Sequence, residues 1–115
     1  NKSFIIIDAG MNDFMRTALY DASHDIVPVI KTNKKNQETI EFVGPICETT
    51  CKFVEYKKYQ KIKEGDFVAI TNVGAYGSSL SSNYNTKPLI AEILTSKNNF
   101  KIIRKKQDLL KLINS

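Results

Sequence analysis

Short apolar segments alternate with polar turns along the whole chain, and this spacing restricts the fold to a mainly β one. Each apolar segment is only four to seven residues long and is rich in β-branched and aromatic residues. Several short strands with few helical stretches predict a mostly antiparallel barrel or sandwich. The predicted strands are residues 4–7, 26–31, 38–43, 53–56, 67–71, 89–95 and 100–104, with turns at 63–66 and 96–99.

Two segments have the pattern of short helices. Residues 11–22 are rich in helix formers, and Asn12 or Asp13 is available as the N-cap. Residues 107–113 are amphipathic and follow the final strand. We therefore predict a β domain with one helix near each end of the chain.

Arg16 and Tyr20 are four residues apart in the first predicted helix. On a helix this spacing brings the guanidinium and the phenol hydroxyl to the same face. Such a pair can hold a carboxylate, because arginine gives two parallel N–H bonds and tyrosine gives a third donor. The alternative is a surface ion pair between Arg16 and a neighbouring aspartate, either Asp13 or Asp21.

Cys47 and Glu48 follow directly on a predicted strand. Gly44 and Pro45 end that strand, because proline has no N–H for the ladder. The thiol of a cysteine is mostly protonated at neutral pH, so Cys47 can donate a proton as well as attack. In extended geometry Glu48 would point away from Cys47. The alternative is a buried Cys47 that packs as a small hydrophobe beside a solvated Glu48.

Tyr76 lies between Gly74 and Gly77, just after another predicted strand. Glycines there favour a positive φ or a close backbone approach, which would hold Tyr76 at the strand end. The serine-rich run 78–82 offers hydroxyl and N–H groups to an anion, although an ordinary loop has the same composition. No lysine of the P-loop type follows the glycines, so a nucleotide-binding P-loop is not predicted.

The net charge of +5 at pH 7 raises the question of a nucleic-acid partner. Its lysines are scattered, and the chain has only two arginines, Arg16 and Arg104. Readers of base edges rely on arginine, and binders of single strands need stacked aromatics at regular spacing. We therefore do not predict a nucleic-acid partner, and a free-standing basic β-barrel binding module stays as the alternative.

No metal site and no membrane association are predicted. His24, Cys47 and Cys51 offer at most three ligands and lack the spacing of a zinc finger. His24 is expected to be a hydrogen-bonded structural residue, and both cysteines are expected to be reduced. The apolar runs are far too short to span a bilayer, which favours a cytoplasmic protein.

Taken in order, these stretches resemble the C-terminal domain of bacterial diaminopimelate decarboxylases. The resemblance extends from residue 1 to about residue 95 and depends on several separated motifs rather than on one. These motifs are DAGMNDFMRTALYDA at 8–22, VGPICE at 43–48, Gly65-Asp66, GAYG at 74–77, and SSNYN at 81–85 with Pro88 and Glu92.

The resemblance implies that residues 1–115 are the C-terminal β domain of a longer enzyme. The implied fold is an antiparallel Greek-key barrel or sandwich with one or two short helices, like the C-terminal domain of alanine racemase. Enzymes of this family are lyases of lysine biosynthesis that convert meso-2,6-diaminopimelate to L-lysine and CO2. They bind pyridoxal 5'-phosphate (PLP) through a Schiff-base lysine on an N-terminal α/β barrel, which is absent here, and the active site is completed across a homodimer. The domain alone is therefore expected to be inactive.

The resemblance also implies roles for five residues. Cys47 matches the proton donor, which is delivered into the partner subunit's site. Arg16 and Tyr20 match positions that bind the distal carboxylate of the substrate, and Glu48 matches one that meets the distal ammonium. Tyr76 matches a tyrosine that contacts both cofactor and substrate. Related ornithine and arginine decarboxylases are an alternative, but their substrates end in a cation and have no use for Arg16.

Overall fold

Seven short strands and three short α-helices form the chain, and the computed structural model describes every residue from 1 to 115. The prediction of a mainly β fold is confirmed, and each of the seven predicted strands is present. None of the helices is long and apolar enough to cross a membrane. The elements are β1 (Lys2–Ile6), α1 (Arg16–Tyr20), β2 (Ile26–Pro28), β3 (Thr39–Val43), β4 (Lys52–Lys57), β5 (Val68–Ile70), α2 (Gly74–Gly77), a 3-10 turn (Tyr84–Thr86), β6 (Glu92–Ser96), β7 (Asn99–Arg104) and α3 (Leu109–Ile113).

The strands form three separate sheets. The largest has the order β1-β3-β4, in which β1 is parallel to β3 and β4 is antiparallel to it, and the other two are the antiparallel pairs β2-β5 and β6-β7. The predicted closure into a barrel is not seen, because β1 pairs only with β3 and β5 pairs only with β2. An open groove of about 610 Å³ separates β1 from residues 62–68, which lead into β5.

The core lies between the three-stranded sheet and β2. Burial alternates along β3, so that Ile40 and Phe42 face inward. The ring of Tyr59 packs edge-on against Phe42 with the centroids 4.9 Å apart, and its hydroxyl donates to the carbonyl of Ile26 at 2.8 Å. The backbone N–H of Ile26 donates to the hydroxyl of Tyr56 at 2.8 Å. Tyr56 and Tyr59 therefore connect β2 to the larger sheet through hydrogen bonds.

Tyr59 makes the stability of the fold sensitive to alkaline pH. Burial, with a smaller effect of Tyr56, raises the pKa of Tyr59 to about 12. An unfolded tyrosine ionises near pH 10, so the stabilisation is complete below pH 10 and is lost as the pH rises towards 12. We expect the free energy of unfolding to fall by about 2–3 kcal/mol across this window. Urea unfolding between pH 8 and pH 12 measures it.

The matched variant Tyr59→Phe separates ionisation from packing. At pH 8 it should be less stable by about 1 kcal/mol, because it lacks the hydrogen bond to Ile26. Above pH 10 it should lose less stability than the unmodified chain, since the buried phenol is gone. An equal alkaline loss in both proteins would contradict the assignment to Tyr59.

The first helix is shorter than the predicted 11–22. The carboxylate of Asp13 accepts a hydrogen bond from the backbone N–H of Gly10 at 2.9 Å, which folds the preceding residues into a turn. Asp21 has φ 52°, in the left-handed region, and ends α1. Neither Asn12 nor Asp13 caps the helix, so that part of the prediction is wrong.

The segment Gly74–Gly77 is also different from the prediction. It forms α2, a single helical turn, and neither glycine has a positive φ. The only glycine with a positive φ is Gly65, at 89° in the predicted 63–66 turn. Tyr76 therefore projects from a helical turn and not from a strand end. The final helix is confirmed as α3, where Asp108 is the N-cap.

Candidate functional site

Arg16 lies between two tyrosine rings where α1 and α2 meet. Its Cζ is 6.0 Å from the ring centroid of Tyr20, as the helical spacing predicts, and 5.4 Å from that of Tyr76. Both distances are within the range of a cation–π interaction. The residues Tyr20 and Tyr76 are 64% and 57% exposed. The three side chains thus form a cluster, which we call the arginine cluster, that is open to a ligand.

Arg16 has no acidic partner within the chain. Neither Asp13 nor Asp21 forms an ion pair with it, so the predicted alternative is wrong. Its Nε is buried without a hydrogen-bond partner. The buried Nε is closed to a ligand, whereas the two Nη atoms make no hydrogen bond within the chain and are the donors that a planar anion such as a carboxylate can reach. The arginine cluster therefore has the chemistry of a carboxylate site.

Cys47 and Glu48 lie in a turn and not in extended backbone. β3 ends at Val43, as predicted, and the backbone N–H of Gly44 donates to the carbonyl of Cys51 at 2.8 Å, which closes the loop. Within the loop, the N–H of Cys51 donates to the carbonyl of Glu48 at 3.0 Å. The prediction that Cys47 and Glu48 point in opposite directions from a strand is therefore wrong. Both side chains are exposed.

The two cysteines have different environments, although both are free thiols. Cys51 is buried, and its Sγ accepts a hydrogen bond from the N–H of Met11 at 3.4 Å. A Cβ added at Gly44 would lie 2.5 Å from this sulfur, so only glycine leaves room for it. The alternative of a buried Cys47 that packs as a small hydrophobe is thus wrong, because the buried cysteine is Cys51 and Cys47 is exposed. Cys47 is the thiol accessible to a ligand.

Tyr84 contacts Glu48, a contact that the sequence analysis did not identify. Its hydroxyl donates to Oε2 of Glu48 at 3.2 Å. This hydrogen bond, with the charge of Glu48, raises the pKa of Tyr84 above its ordinary value. The signal available in the sequence was the motif at 81–85, to which no role was assigned.

Two clusters of candidate residues therefore result. Arg16, Tyr20 and Tyr76 form the first, and Glu48 with Tyr84 forms the second, beside the exposed Cys47. No hydrogen bond or ion pair joins the clusters directly. They are linked through the turn that precedes α1, where the carbonyl of Asn12 accepts from Ser82, two residues before Tyr84, and where Met11 donates to Cys51.

The serine-rich run uses its hydroxyls within the chain. Ser78 donates to the carboxylate of Glu92 and accepts from Nη1 of Arg104 at 3.0 Å. The hydroxyl of Ser81 donates to the carbonyl of Ser78 at 2.6 Å. These contacts fix the segment after α2 against β6 and β7. They support the ordinary-loop interpretation rather than an anion site.

His24 has a structural role, as predicted. Its Nδ1 is 3.0 Å from the carbonyl oxygen of Thr71, a hydrogen-bonding distance. Its ring packs edge-on against Phe14 with the centroids 4.6 Å apart. The histidine thus connects the start of β2 to the end of β5.

Comparisons with known proteins assign this arrangement to one family. Residues 1–74 match the sequence profile described as "Pyridoxal-dependent decarboxylase, C-terminal sheet domain". Diaminopimelate decarboxylase from Aquifex aeolicus is 40% identical over 108 residues, which are 94% of this chain and 26% of that protein.

Solved structures agree with this match. Diaminopimelate decarboxylase from Helicobacter pylori, complexed with L-lysine, superposes with a TM-score of 0.88 at 38% identity, over 99% of this chain and 28% of that one. The enzyme from M. jannaschii, also in complex with L-lysine, gives a TM-score of 0.88 at 39% identity, over 96% of this chain and 25% of that one. The chain thus spans about a quarter of the length of the relatives it matches. These similarities do not favour a free-standing basic binding module.

Proposed function

Because this chain belongs to the pyridoxal-dependent decarboxylase family, as a C-terminal sheet domain, we propose that it is that domain of a diaminopimelate decarboxylase. The proposed parent enzyme is a cytoplasmic, PLP-dependent carboxy-lyase that converts meso-2,6-diaminopimelate to L-lysine and CO2. The observation that carries the proposal is that Arg16 lies between two exposed tyrosines and has no acidic partner.

The charges of the two clusters match the far end of this substrate. Meso-diaminopimelate carries a carboxylate and an ammonium group at the end away from the reacting carbon. Arg16 and Tyr20 supply donors for the carboxylate, and Glu48 supplies an acceptor for the ammonium. Ornithine and arginine end in a cation only and would leave the guanidinium of Arg16 without a partner, which is unfavourable. The clusters therefore favour diaminopimelate over the substrates of the related decarboxylases.

Cys47 is the proposed proton donor. It is exposed on the 44–51 loop, and its thiol makes no hydrogen bond within the chain, so it is free to meet a ligand. The S–H proton goes to the carbon that has lost CO2, and solvent returns a proton to the thiolate. In the proposed homodimer this step takes place in the active site of the partner subunit.

Tyr76 is the residue of this chain that fits a contact with the cofactor. It is exposed, and its ring centroid lies 5.4 Å from the Cζ of Arg16. The Schiff-base lysine and the phosphate-binding loop belong to the proposed N-terminal barrel. When bound, PLP supplies the electron sink that stabilises the carbanion formed by the loss of CO2.

The apolar surface of this chain supports the proposed assembly. Phe4 and Ile6 of β1 are 61% and 72% exposed, and Phe67 is 78% exposed on the opposite side of the open groove. Exposed apolar surface of this kind marks places where other polypeptide packs. We propose that the N-terminal barrel and the partner subunit cover part of this surface.

The activity itself is the first test. The full-length protein, loaded with PLP and given meso-diaminopimelate, should release CO2 and L-lysine in equal amounts. Its kcat/KM for ornithine and arginine should be lower by a factor of about 100 or more, because these substrates would leave the guanidinium of Arg16 without a partner. The 115-residue chain alone should be inactive. Equal activity towards ornithine would contradict the proposed substrate, and absence of any decarboxylation would contradict the proposed function.

A further inference from the structure

Tyr84 is the only hydrogen-bonding side chain that contacts the carboxylate of Glu48. The two residues are 36 positions apart, and the phenol hydroxyl donates a hydrogen bond to Oε2 at 3.2 Å. Oε1 has no partner in the chain. The backbone of Glu48 is held by the turn of the 44–51 loop, but nothing in that loop fixes its side chain. The direction of the carboxylate thus depends on Tyr84.

The backbone around Tyr84 is held in an unusual conformation. Asn85 and Thr86 have φ values of 59° and 56°, in the left-handed region. This conformation is costly for a β-branched residue such as Thr86, and it persists only where the surroundings impose it. Strain of this kind is concentrated at functional sites.

Hydrogen bonds on both sides of Tyr84 impose that conformation. The side-chain amide of Asn83 donates to the carbonyl of Lys87 at 2.9 Å and to Oε1 of Gln107 at 2.6 Å. The N–H of Ser82 donates to the carbonyl of Asn12 at 2.9 Å. The phenol of Tyr84 is therefore presented from a rigid segment, before any ligand binds.

We infer that Tyr84 is a positioning and specificity-determining residue, which directs the free oxygen of Glu48 towards the distal ammonium of the ligand. This inference rests on the proposed function, because it assigns the ammonium to Glu48. The hydroxyl of Tyr84 donates and so suits a carboxylate, which leaves Glu48 one free oxygen for a cationic group. Tyr84 does not contact the reacting carbon, and its effect is confined to recognition of the distal end.

Two ligands that differ by a single group test the inference. L-lysine carries a carboxylate and an adjacent ammonium, whereas 6-aminohexanoate is the same molecule without that ammonium. We expect Tyr84→Phe in the PLP-loaded full-length enzyme to weaken L-lysine binding by about 10-fold, the effect of losing a hydrogen bond to a charged group. Binding of 6-aminohexanoate should change by less than about 2-fold, because that ligand does not use Glu48. Isothermal titration calorimetry measures both.

Kinetics give a second readout. Tyr84→Phe should raise the KM for meso-diaminopimelate by about 10-fold and leave kcat within about 2-fold, since the hydroxyl acts on binding and not on the proton transfer. Glu48→Gln should show the same selectivity between the two ligands. The variant that carries both substitutions should bind L-lysine no more weakly than the more affected single variant, because Tyr84 and Glu48 act through one contact.

Tyr59→Phe is the matched control, since it removes a hydroxyl that donates to Ile26 in the core. It should leave both ligand affinities unchanged. Equal weakening of both ligands by Tyr84→Phe would show a general effect on the site and would overturn the inference, as would no effect on either. If Glu48→Gln selectively weakens L-lysine binding but Tyr84→Phe does not, the inference about Tyr84 is overturned and the proposed function is not affected. If the unmodified enzyme neither binds L-lysine nor decarboxylates meso-diaminopimelate, the proposed function fails, and the inference fails with it.

Discussion

Replacing Cys47 with alanine is expected to lower kcat for meso-diaminopimelate by a factor of about 10² to 10⁴, the usual contribution of a positioned acid or base. The reason is that Cys47 is an exposed thiol on a well-defined turn and the proposed source of the proton. Because it makes no hydrogen bond within the chain, its loss should disturb neither KM nor PLP content by more than about 2- to 3-fold. Steady-state kinetics and the absorbance of bound PLP measure these quantities.

Cys51 provides a matched control for this experiment. It is a buried thiol that accepts a hydrogen bond from Met11, so Cys51→Ala removes the same group from the interior. That variant should be less stable by about 1–2 kcal/mol, because a small cavity is formed and the partly buried N–H of Met11 loses its partner. Its kcat should remain close to that of the unmodified enzyme. Near-normal turnover of the Cys47→Ala enzyme would rule out the proton-donor role.

Replacing Arg16 with alanine is expected to raise the KM for meso-diaminopimelate by a factor of about 30 to 1000, which corresponds to roughly 2–4 kcal/mol of binding free energy. Arg16 has no acidic partner in the chain, and its Nε is buried without a hydrogen bond. A ligand carboxylate would supply the missing acidic partner by accepting from the Nη atoms, which make no hydrogen bond within the chain. The change in kcat should be smaller than the change in KM, since the guanidinium binds the end of the substrate that does not react.

Two further variants make this result specific. Arg16→Lys keeps the positive charge but loses the planar pair of donors, so its KM should lie between those of the unmodified and alanine enzymes. Arg104, the only other arginine, forms an ion pair with Glu92 at 3.0 Å and should affect stability rather than KM when replaced by alanine. A rise in KM of less than about 3-fold for Arg16→Ala would contradict the carboxylate assignment.

Local sequence patterns were sufficient for the strands and for several turns. The 63–66 turn formed as predicted because Asp66 accepts a hydrogen bond from the N–H of Lys63, while Gly65 takes the positive φ that the turn requires. The two-residue connection between β6 and β7 also formed where it was predicted, and it is flanked by the pair Ser96 and Asn99. In both places the interactions that decide the structure lie within four residues of each other.

Local patterns failed where a competing hydrogen bond nearby or a contact with a distant residue determined the structure. Helix propensity over 11–22 was overridden because Asp13 binds the N–H of Gly10 and so forms a turn. Gly74 and Gly77 were expected to take a positive φ or to allow a close backbone approach, yet both adopt helical backbone, with Gly77 packed near Phe14. The open edges of β1 and β5 likewise depend on pairing between distant strands, which short segments do not specify.

By itself, the sequence determined a mainly β chain, a helical pair of Arg16 and Tyr20, and a strand that ends before Cys47 and Glu48. Tertiary structure alone decided that Arg16 meets Tyr76 and that Glu48 meets Tyr84. The physical reason is that local geometry follows from backbone preferences and neighbouring hydrogen bonds. Contacts between residues 36 or more positions apart depend on how the whole chain packs.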